Sequence, residues 1–406
     1  MKWPTVSIDE ITHVVTKGTT PTTMGRSFTD TGVTFIKAEA LNGDVSLDDN
    51  GFAFIDEETH QSLKRSILQE GDILVTIAGA QVGRCGFVRP ENLPSNTNQA
   101  VGIVRVDQTK ANQRFVYYFF KLPSTFALCQ SIGAAQAAQP NVNLGNLRGF
   151  QLHIPQREQQ NKIADILTAY DDLMENNRRR MALLEESARL LYREWFIHLR
   201  FPGHEHSRPT QGIPEGWKKA TAFDAMHVMS GGTPKTTNPD FWDGETPFYT
   251  PKDSVDACYV LDTEKHVTEL GLSQCNSKLY PKDTLFITAR GTVGNLNLAQ
   301  RPMAMNQSCY ALAGREGIPP KFLFCALREA IQHFKQHASG AVFDAIIVDT
   351  FKLIPFVFPN AKLVGLFEET VEPMFQQVEN LLLQNQKLRA ARDLLLPRLM
   401  SGEIAV

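Results

Sequence analysis

The chain has 406 residues, 42% hydrophobic and 21% charged, enough apolar material for the cores of two or three domains, which excludes wholesale disorder. Lys and Arg number 41 against 44 Asp and Glu, a formal net charge of -3. The charge is evenly spread: 13 basic against 14 acidic residues in 1–155, 8 against 8 in 156–200, 15 against 16 in 201–360 and 5 against 6 in 361–406. With no basic or acidic tail, any binding of a charged polymer has to come from local patches. The opening MKWPTVSIDE lacks the apolar core of a signal peptide, and no apolar run is long enough to span a bilayer. The expectation is a soluble, cytoplasmic protein with no membrane partner. Cys85, Cys129, Cys258, Cys275, Cys309 and Cys325 show no CxxC spacing and are expected as reduced, mostly buried thiols.

Taken in order, the chain states one plan twice. Gly18-Thr-Thr-Pro21 followed by VTFIKAEAL is echoed by Gly232-Thr-Pro234 followed by TPFYTPKDS. EGDILVTIAGAQVG at 70–83 is echoed by PKDTLFITARGTVG at 281–294, which aligns Asp72 with Asp283, Leu74 with Leu285 and Gly83 with Gly294. NTNQA at 96–100 returns as AMNQS at 304–308, so that Asn98 and Gln99 face Asn306 and Gln307. Helical patterns follow at 112–130 and 320–337, then extended stretches at 149–155 and 353–359. A matched order of four features marks a duplication.

Each half then runs into a long amphipathic segment. From about 156 to 199 apolar residues recur every three or four positions, among them Ile163, Leu167, Met174, Met181, Ala188 and Trp195, with no Gly or Pro between. The second such segment runs from about 363 to 400 and contains Pro373, expected to kink the helix or reset its start, and Pro397, expected to mark its last turn. Helices of this length need a partner for their stripe, and two in one chain most simply pair antiparallel. Asn177 and Asn385 near their middles either fix the register of that pairing or point outward. FPGHEHSRPTQGIPEGW at 201–217 reads as a linker.

The expected architecture is a mixed α/β (α+β) fold with a pseudo-two-fold internal repeat. A globular domain spans 1–155, a long helix 156–200, a linker and second globular domain 201–360, and a C-terminal long helix 361–406. The two helices form an antiparallel coiled coil between two similar heads.

Catalytic patterns are missing. There is no GxxxxGK[ST] phosphate loop, no GxGxxG and no GxSxG. Asn238-Pro-Asp-Phe241 resembles the NPPF motif of amino-methyltransferases only in part, because Asp replaces the second Pro and no methyl-donor loop accompanies it. His333 and His337 lack the glutamate of HExxH, and His204 and His206 fall in the linker, so no metal site is expected. A duplicated head without chemistry argues for recognition.

The turns of both halves are rich in groups suited to nucleic acid, since Arg and Lys match guanine and phosphate, Asn and Gln match adenine, and Thr supports phosphate contacts. The DNA-binding candidates are Lys17, Thr20, Arg26, Lys37 and Gln81 in the first half and Lys235, Thr237, Lys252, Arg290 and Thr292 in the second. The retained Asn98, Gln99, Asn306 and Gln307 are expected to serve the fold or the backbone, because two heads need not read the same bases. Differences between the copies, Lys37 against Lys252 and Gly79 against Arg290, are the better specificity candidates.

This ordered set, with NLGNLRGFQLHIPQREQQNKIADIL entering the first helix and LLQNQKLRAARDLLLPRLMSGEI closing the second, resembles the specificity subunits of type I restriction-modification systems over essentially the whole chain. The resemblance implies two target-recognition domains, each reading one half of a bipartite double-stranded DNA sequence. It implies helices that act as a ruler and dock two methyltransferase (modification) subunits, and optionally restriction subunits. It implies no catalysis and no cofactor in this chain: S-adenosylmethionine belongs to the modification subunit, ATP and Mg to the restriction subunit. The second junction, FPNAKLVGLFEETVEP, departs from the PQREQQNKI form of the first, so docking at the two ends need not be equal. Balanced charge implies modest DNA affinity without partners. The competing reading is a non-catalytic coiled-coil scaffold whose heads bind protein.

Overall fold

Short apolar runs punctuated by Gly, Pro and Asx turns build several small sheets in place of one large one. The computed structural model describes residues 3–41, 51–134, 141–207, 209–210, 212–337 and 345–406. By contact the chain divides into two compact units, Met1–Leu173 with Leu388–Val406, and Met174–Lys387.

In the first unit a four-stranded antiparallel sheet has the order Thr12–Lys17, Val101–Val106, Ile73–Thr76, Cys85–Phe87. Ile73–Thr76 is buried along its whole length, as its interior place requires. A three-stranded sheet sets Val33–Ile36 antiparallel to Phe52–Ile55 and parallel to Ser95–Thr97. Thr5–Ser7 pairs with Gln151–His153. The second unit repeats all three. Its larger sheet runs Met226–Ser230, Cys309–Gly314, Leu285–Thr288, Leu296–Ala299, Tyr259–Val260. Trp242–Tyr249 lies antiparallel to His266–Val267 and parallel to Ala304–Met305, and Lys218–Thr221 pairs with Pro355–Phe358.

Strand register corrects the sequence alignment by one residue. Ile73 pairs with Val104, and Leu285 with Leu312. The Ile77 amide donates to the Ala100 carbonyl at 2.8 Å, and Ala289 donates to Ser308 at 2.8 Å. Leu285 therefore stands where Ile73 does, and Asp283 takes the place of Gly71, both with positive φ (65° and 84°). Asp72 and Asp283 are not equivalent. Asp72 is fully buried and held by the Arg105 guanidinium at 2.8 Å through both carboxylate oxygens, whereas Asp283 accepts from the Tyr259 hydroxyl at 2.8 Å and Lys321 at 2.9 Å. The turn after the strand is one residue shorter in the second copy: Thr76 closes it with Gly83, Thr288 with Gly294.

The first long helix is Arg157–Tyr192, continued by a π-helical turn at Arg193–Ile197, and the second is Ala361–Met400. Pro373 does not interrupt it. Pro373 and Glu369, whose carbonyl loses its amide partner, both lie on the solvent face, where water can satisfy that carbonyl. Val371 and Phe375 meanwhile anchor the buried face. Pro397 sits in the last turn.

Within the first unit, Ile163, Ala164 and Leu167 of the first helix and Leu396, Leu399 and Met400 of the second share one core with Phe115, Tyr118 and Leu152 of the head. Within the second, Trp195 and Phe196 pack on Phe367, with ring centroids 5.9 and 5.3 Å apart, and Val371, Phe375, Val378 and Leu381 join the head's Phe322 and Leu285. Rising numbers on one helix meet falling numbers on the other, so the pairing is antiparallel. Composition marks 201–217 as linker, yet Phe201 and Trp217 are buried in the second core with rings 5.4 Å apart.

The long helices also cap the heads. The Gln160 carboxamide oxygen accepts from the Asn112 amide at 2.8 Å at the start of helix Gln113–Lys121. Glu368, 208 residues on, accepts from the Lys321 and Phe322 amides at 3.2 and 2.8 Å at the start of helix Pro320–His337.

The asparagines decide the register. Asn177 is fully buried and Asn385 is 8% exposed. The Asn177 amide donates to Asn385 Oδ1 at 2.8 Å, and the Asn385 amide donates to the Met174 carbonyl at 3.1 Å. Asn385→Leu alone takes away the Asn177 amide's 2.8 Å partner and is expected to cost about 1–3 kcal/mol. The double leucine variant is expected to regain that stability while admitting further registers. Denaturant unfolding with light scattering on Asn385→Leu and on the Asn177→Leu/Asn385→Leu double variant checks this.

In the first unit Asp171 is a second buried polar centre, bonded to Lys121 at 3.1 Å, to the Tyr118 hydroxyl at 2.9 Å and to Arg392. Burial alone would raise its carboxyl; the charges of Lys121 and Arg392 override this and hold it below the usual carboxylate range. With the folded value below the unfolded one, its stabilisation is present above roughly pH 4 and is lost as pH falls through the folded value. Asp171→Asn is expected to cost about 3–5 kcal/mol at neutral pH, because two cations are left facing each other, and to flatten the acid limb of the stability profile. Unfolding measured from pH 7 down to pH 3 reads both effects, and an unchanged acid limb would refute the assignment.

Candidate nucleic-acid interface

Close backbone approach forces the glycine in each Gly-Thr-Pro turn. A Cβ on Gly18 would stand 2.2 Å from the carbonyl oxygens of Thr97 and Asn98, and one on Gly231 would stand 2.1 Å from that of Asn306. The Thr19 amide donates to Thr97 at 3.0 Å, and Gly232 donates to Met305 at 3.2 Å. The following asparagine closes its own turn in both copies: Asn98 Oδ1 accepts from the Ala100 amide at 3.1 Å and Asn306 Oδ1 from Ser308 at 3.0 Å. Each repeated asparagine thus closes the turn against which the glycine packs.

The neighbouring glutamines differ. Both are exposed. The Thr233 hydroxyl donates to the Gln307 carboxamide oxygen. The Gln99 side chain has no hydrogen bond among the described residues.

In each head a continuous rim follows from these bonds. One end is the crevice between the Gly-Thr-Pro turn and the segment after a short helix. In the first head Arg65 donates to the Thr19 hydroxyl there at 3.2 Å. In the second, Gly232 abuts the Asn276 backbone, and the Ser277 hydroxyl accepts from the Met305 amide at 3.0 Å. The glutamine lies in the middle. The other end is the turn after the central strand, where Thr292 donates to the Pro251 carbonyl at 3.4 Å and Arg290 donates its amide to Ser308 at 3.3 Å.

The structure brings Lys252, Arg290 and Thr292 together at that far end, all exposed. Lys235 and Thr237 are exposed on the Gly-Thr-Pro turn, where the Lys235 carbonyl accepts from Asn238 at 3.2 Å. Lys17 is exposed at the end of its strand. Thr20 is half-buried, its carbonyl accepting from the Thr23 hydroxyl at 2.7 Å. Arg26 is engaged by Glu58 at 2.6 Å, and that bond holds the Glu58 carboxyl below the usual range. Lys37 is half-buried where a 3-10 turn begins. Gln81 turns its Oε1 inward, without a donor among the described residues.

Register also replaces both paired specificity candidates. Ile36 pairs with Thr97 as Tyr249 pairs with Met305, so Lys37 corresponds to Thr250, and Lys252 to Glu39. By the one-residue shift, Arg290 corresponds to Ala78, and Gly79 to Gly291, both with positive φ (98° and 83°).

A family model described as the type I restriction modification DNA specificity domain matches residues 1–186 and 214–363. The chain belongs to this family. It is 24% identical over 413 residues to the type I restriction enzyme MjaIX specificity subunit of Methanocaldococcus jannaschii, covering 100% of this chain and 94% of that protein. It is 22% identical over 327 residues to the HindI specificity subunit of Haemophilus influenzae, covering 65% and 71%. The fold is shared with the crystal structure of a type I restriction-modification S subunit from M. genitalium, at a TM-score of 0.55 and 16% identity over 98% of this chain and 96% of that one.

For a DNA specificity chain, two residues that sequence reasoning missed stand out. Lys64 and Arg65 are exposed at the crevice of the first head. Their only sequence signal is a basic pair after a short helix; the Arg65–Thr19 bond reveals the placement. The Asp240 turn is a surface turn capped by Asn238 at 3.2 Å. Among the described residues no cluster of His, Cys, Asp and Glu fits a metal ion, and no helix is long and apolar enough to cross a membrane. The His333 and His337 side chains lie outside the described residues.

Asn98→Ala and Asn306→Ala are expected to lower stability by about 1 kcal/mol each through the lost turn bond. Arg290→Ala and Lys252→Ala, at the exposed end of the rim, are expected to stay within about 0.5 kcal/mol of the parent. Thermal unfolding of the four variants makes the comparison; a large loss for Arg290→Ala would assign it to the fold.

Proposed function

We propose that the two heads of this DNA specificity subunit each read one half of a bipartite duplex target, and that the paired helices set the spacing and dock two modification subunits. The observation that carries this is one backbone rim built twice with different outward side chains. Glu39 in one copy is Lys252 in the other, and Ala78 is Arg290. Retained backbone with exchanged side chains is what reading two different half-sites requires, since bases are told apart by side-chain donors and acceptors in the major groove.

As a member of this family the chain is a non-catalytic subunit. The methyl donor S-adenosylmethionine belongs to the modification subunits, and ATP with Mg to restriction subunits where these join. Docking is supported by exposed Leu183 and Leu190, seven residues apart on one face of the first helix, followed by exposed Ile197. A seven-residue apolar step outside the helix–helix seam is a surface for another helix.

Co-expression with the cognate modification subunit, followed by genome-wide mapping of adenine methylation, tests the reading. The expected result is methylation at a single bipartite motif. Replacing residues 1–155 with the first head of another family member is expected to change one half of that motif and leave the other. A stable complex without motif-specific methylation, or a change in both halves, would refute the modular reading.

A further inference from the structure

With the copies matched by their hydrogen bonds, the rim positions that carry a cation in one head carry an uncharged or acidic residue in the other. At the crevice end the first head carries Lys17, Lys64 and Arg65, all exposed and without an ion-pair partner among the described residues. The equivalent positions in the second head are Ser230, Asn276 and Ser277, none of them charged. Two other exposed lysines stand at this end of the second head, Lys278 in the place of the buried Ser66 and Lys235 on the Gly-Thr-Pro turn in the place of Thr22. At the far end the second head carries Lys252 and Arg290, joined through the Thr292–Pro251 bond, where the first head has Glu39 and Ala78. Between the ends the glutamine follows the same division: Gln99 is unengaged beside the first head's cations, while Gln307 is held by Thr233.

Phosphates are gripped by unpaired Lys and Arg, and a carboxylate in the same place repels them. We infer that the two heads hold DNA at opposite ends of the same rim: the first through Lys17, Lys64 and Arg65 at the crevice with Gln99 beside them as a base-reading group, the second through Lys252 and Arg290 at the turn. The inference rests on the DNA-reading function proposed above and adds which loops do the reading. Duplication has kept the scaffold and relocated the contact surface.

The salt dependence of binding separates the ends. The complex with modification subunits is titrated with a duplex carrying the mapped motif, and log Kobs is followed against log salt. Each lost phosphate contact lowers the slope by about 0.9, so Lys64→Ala/Arg65→Ala and Lys252→Ala/Arg290→Ala are each expected to flatten it by roughly 2. Lys37→Ala, at the far end of the first head, and Lys235→Ala and Lys278→Ala, at the crevice of the second, are expected to leave it unchanged. Gln99→Ala is expected to relax the motif in one half only. A slope that follows Lys37, Lys235 or Lys278 instead of the two pairs overturns the inference while leaving the specificity function in place. A parent complex that does not distinguish the motif duplex from a scrambled one removes the function itself, and the inference with it.

Discussion

Two helices of 36 and 40 residues cannot stand alone in water, and the whole structure depends on how they are covered. Each unit solves this by taking a stretch of both helices into the core of its head. The first head is completed by Leu396, Leu399 and Met400, nearly 250 residues beyond its own last strand. The second is completed by Trp195 from before it and Phe367 from after it. Since an apolar seam alone permits sliding, a polar pair has to choose the register. Asn177 and Asn385 are 208 residues apart, the same offset as Gln160 and Glu368, so equivalent points of the two copies meet across the seam. Both amide donors find acceptors across the seam, Asn385 Oδ1 and the Met174 carbonyl, while Asn177 Oδ1 is buried without a donor among the described residues; the gain for that cost is a single pairing.

Much of this was legible in the sequence, and for physical reasons. Amphipathic periodicity is a local signal, so both long helices and the shorter ones at 113–134 and 320–337 could be read directly. The repeat was legible because close backbone approach tolerates only glycine at 18 and 231, and because an asparagine closing its own turn is hard to replace. Proline was misleading at 373, where exposure of the orphaned carbonyl lets the helix pass.

Register was not legible. The strands 73–76 and 285–288 are buried throughout, so they lack the alternation that would have fixed their phase, and matched Asp, Leu and Gly letters favoured a shift of one. Only the inter-strand hydrogen bonds show that the second turn is a residue shorter. The error spread to the site, because pairing Lys37 with Lys252 and Gly79 with Arg290 compared positions that are not equivalent. Lys64 and Arg65 escaped notice for a related reason: what brings them beside Thr19 is a tertiary closure with no local pattern.

The retained and the exchanged residues therefore answer different questions. An asparagine whose Oδ1 is committed to a backbone amide two residues on has lost the acceptor with which it would read adenine, so its presence in both heads speaks for the turn and not for a shared base. A glutamine one residue further, free in one copy and bonded to a threonine in the other, shows that identity of sequence does not carry identity of role. Recognition has to reside where backbone demands nothing of the side chain. On the proposed reading, the recognition positions of this rim are those near the repeated glycine and asparagine at which the two copies differ in charge.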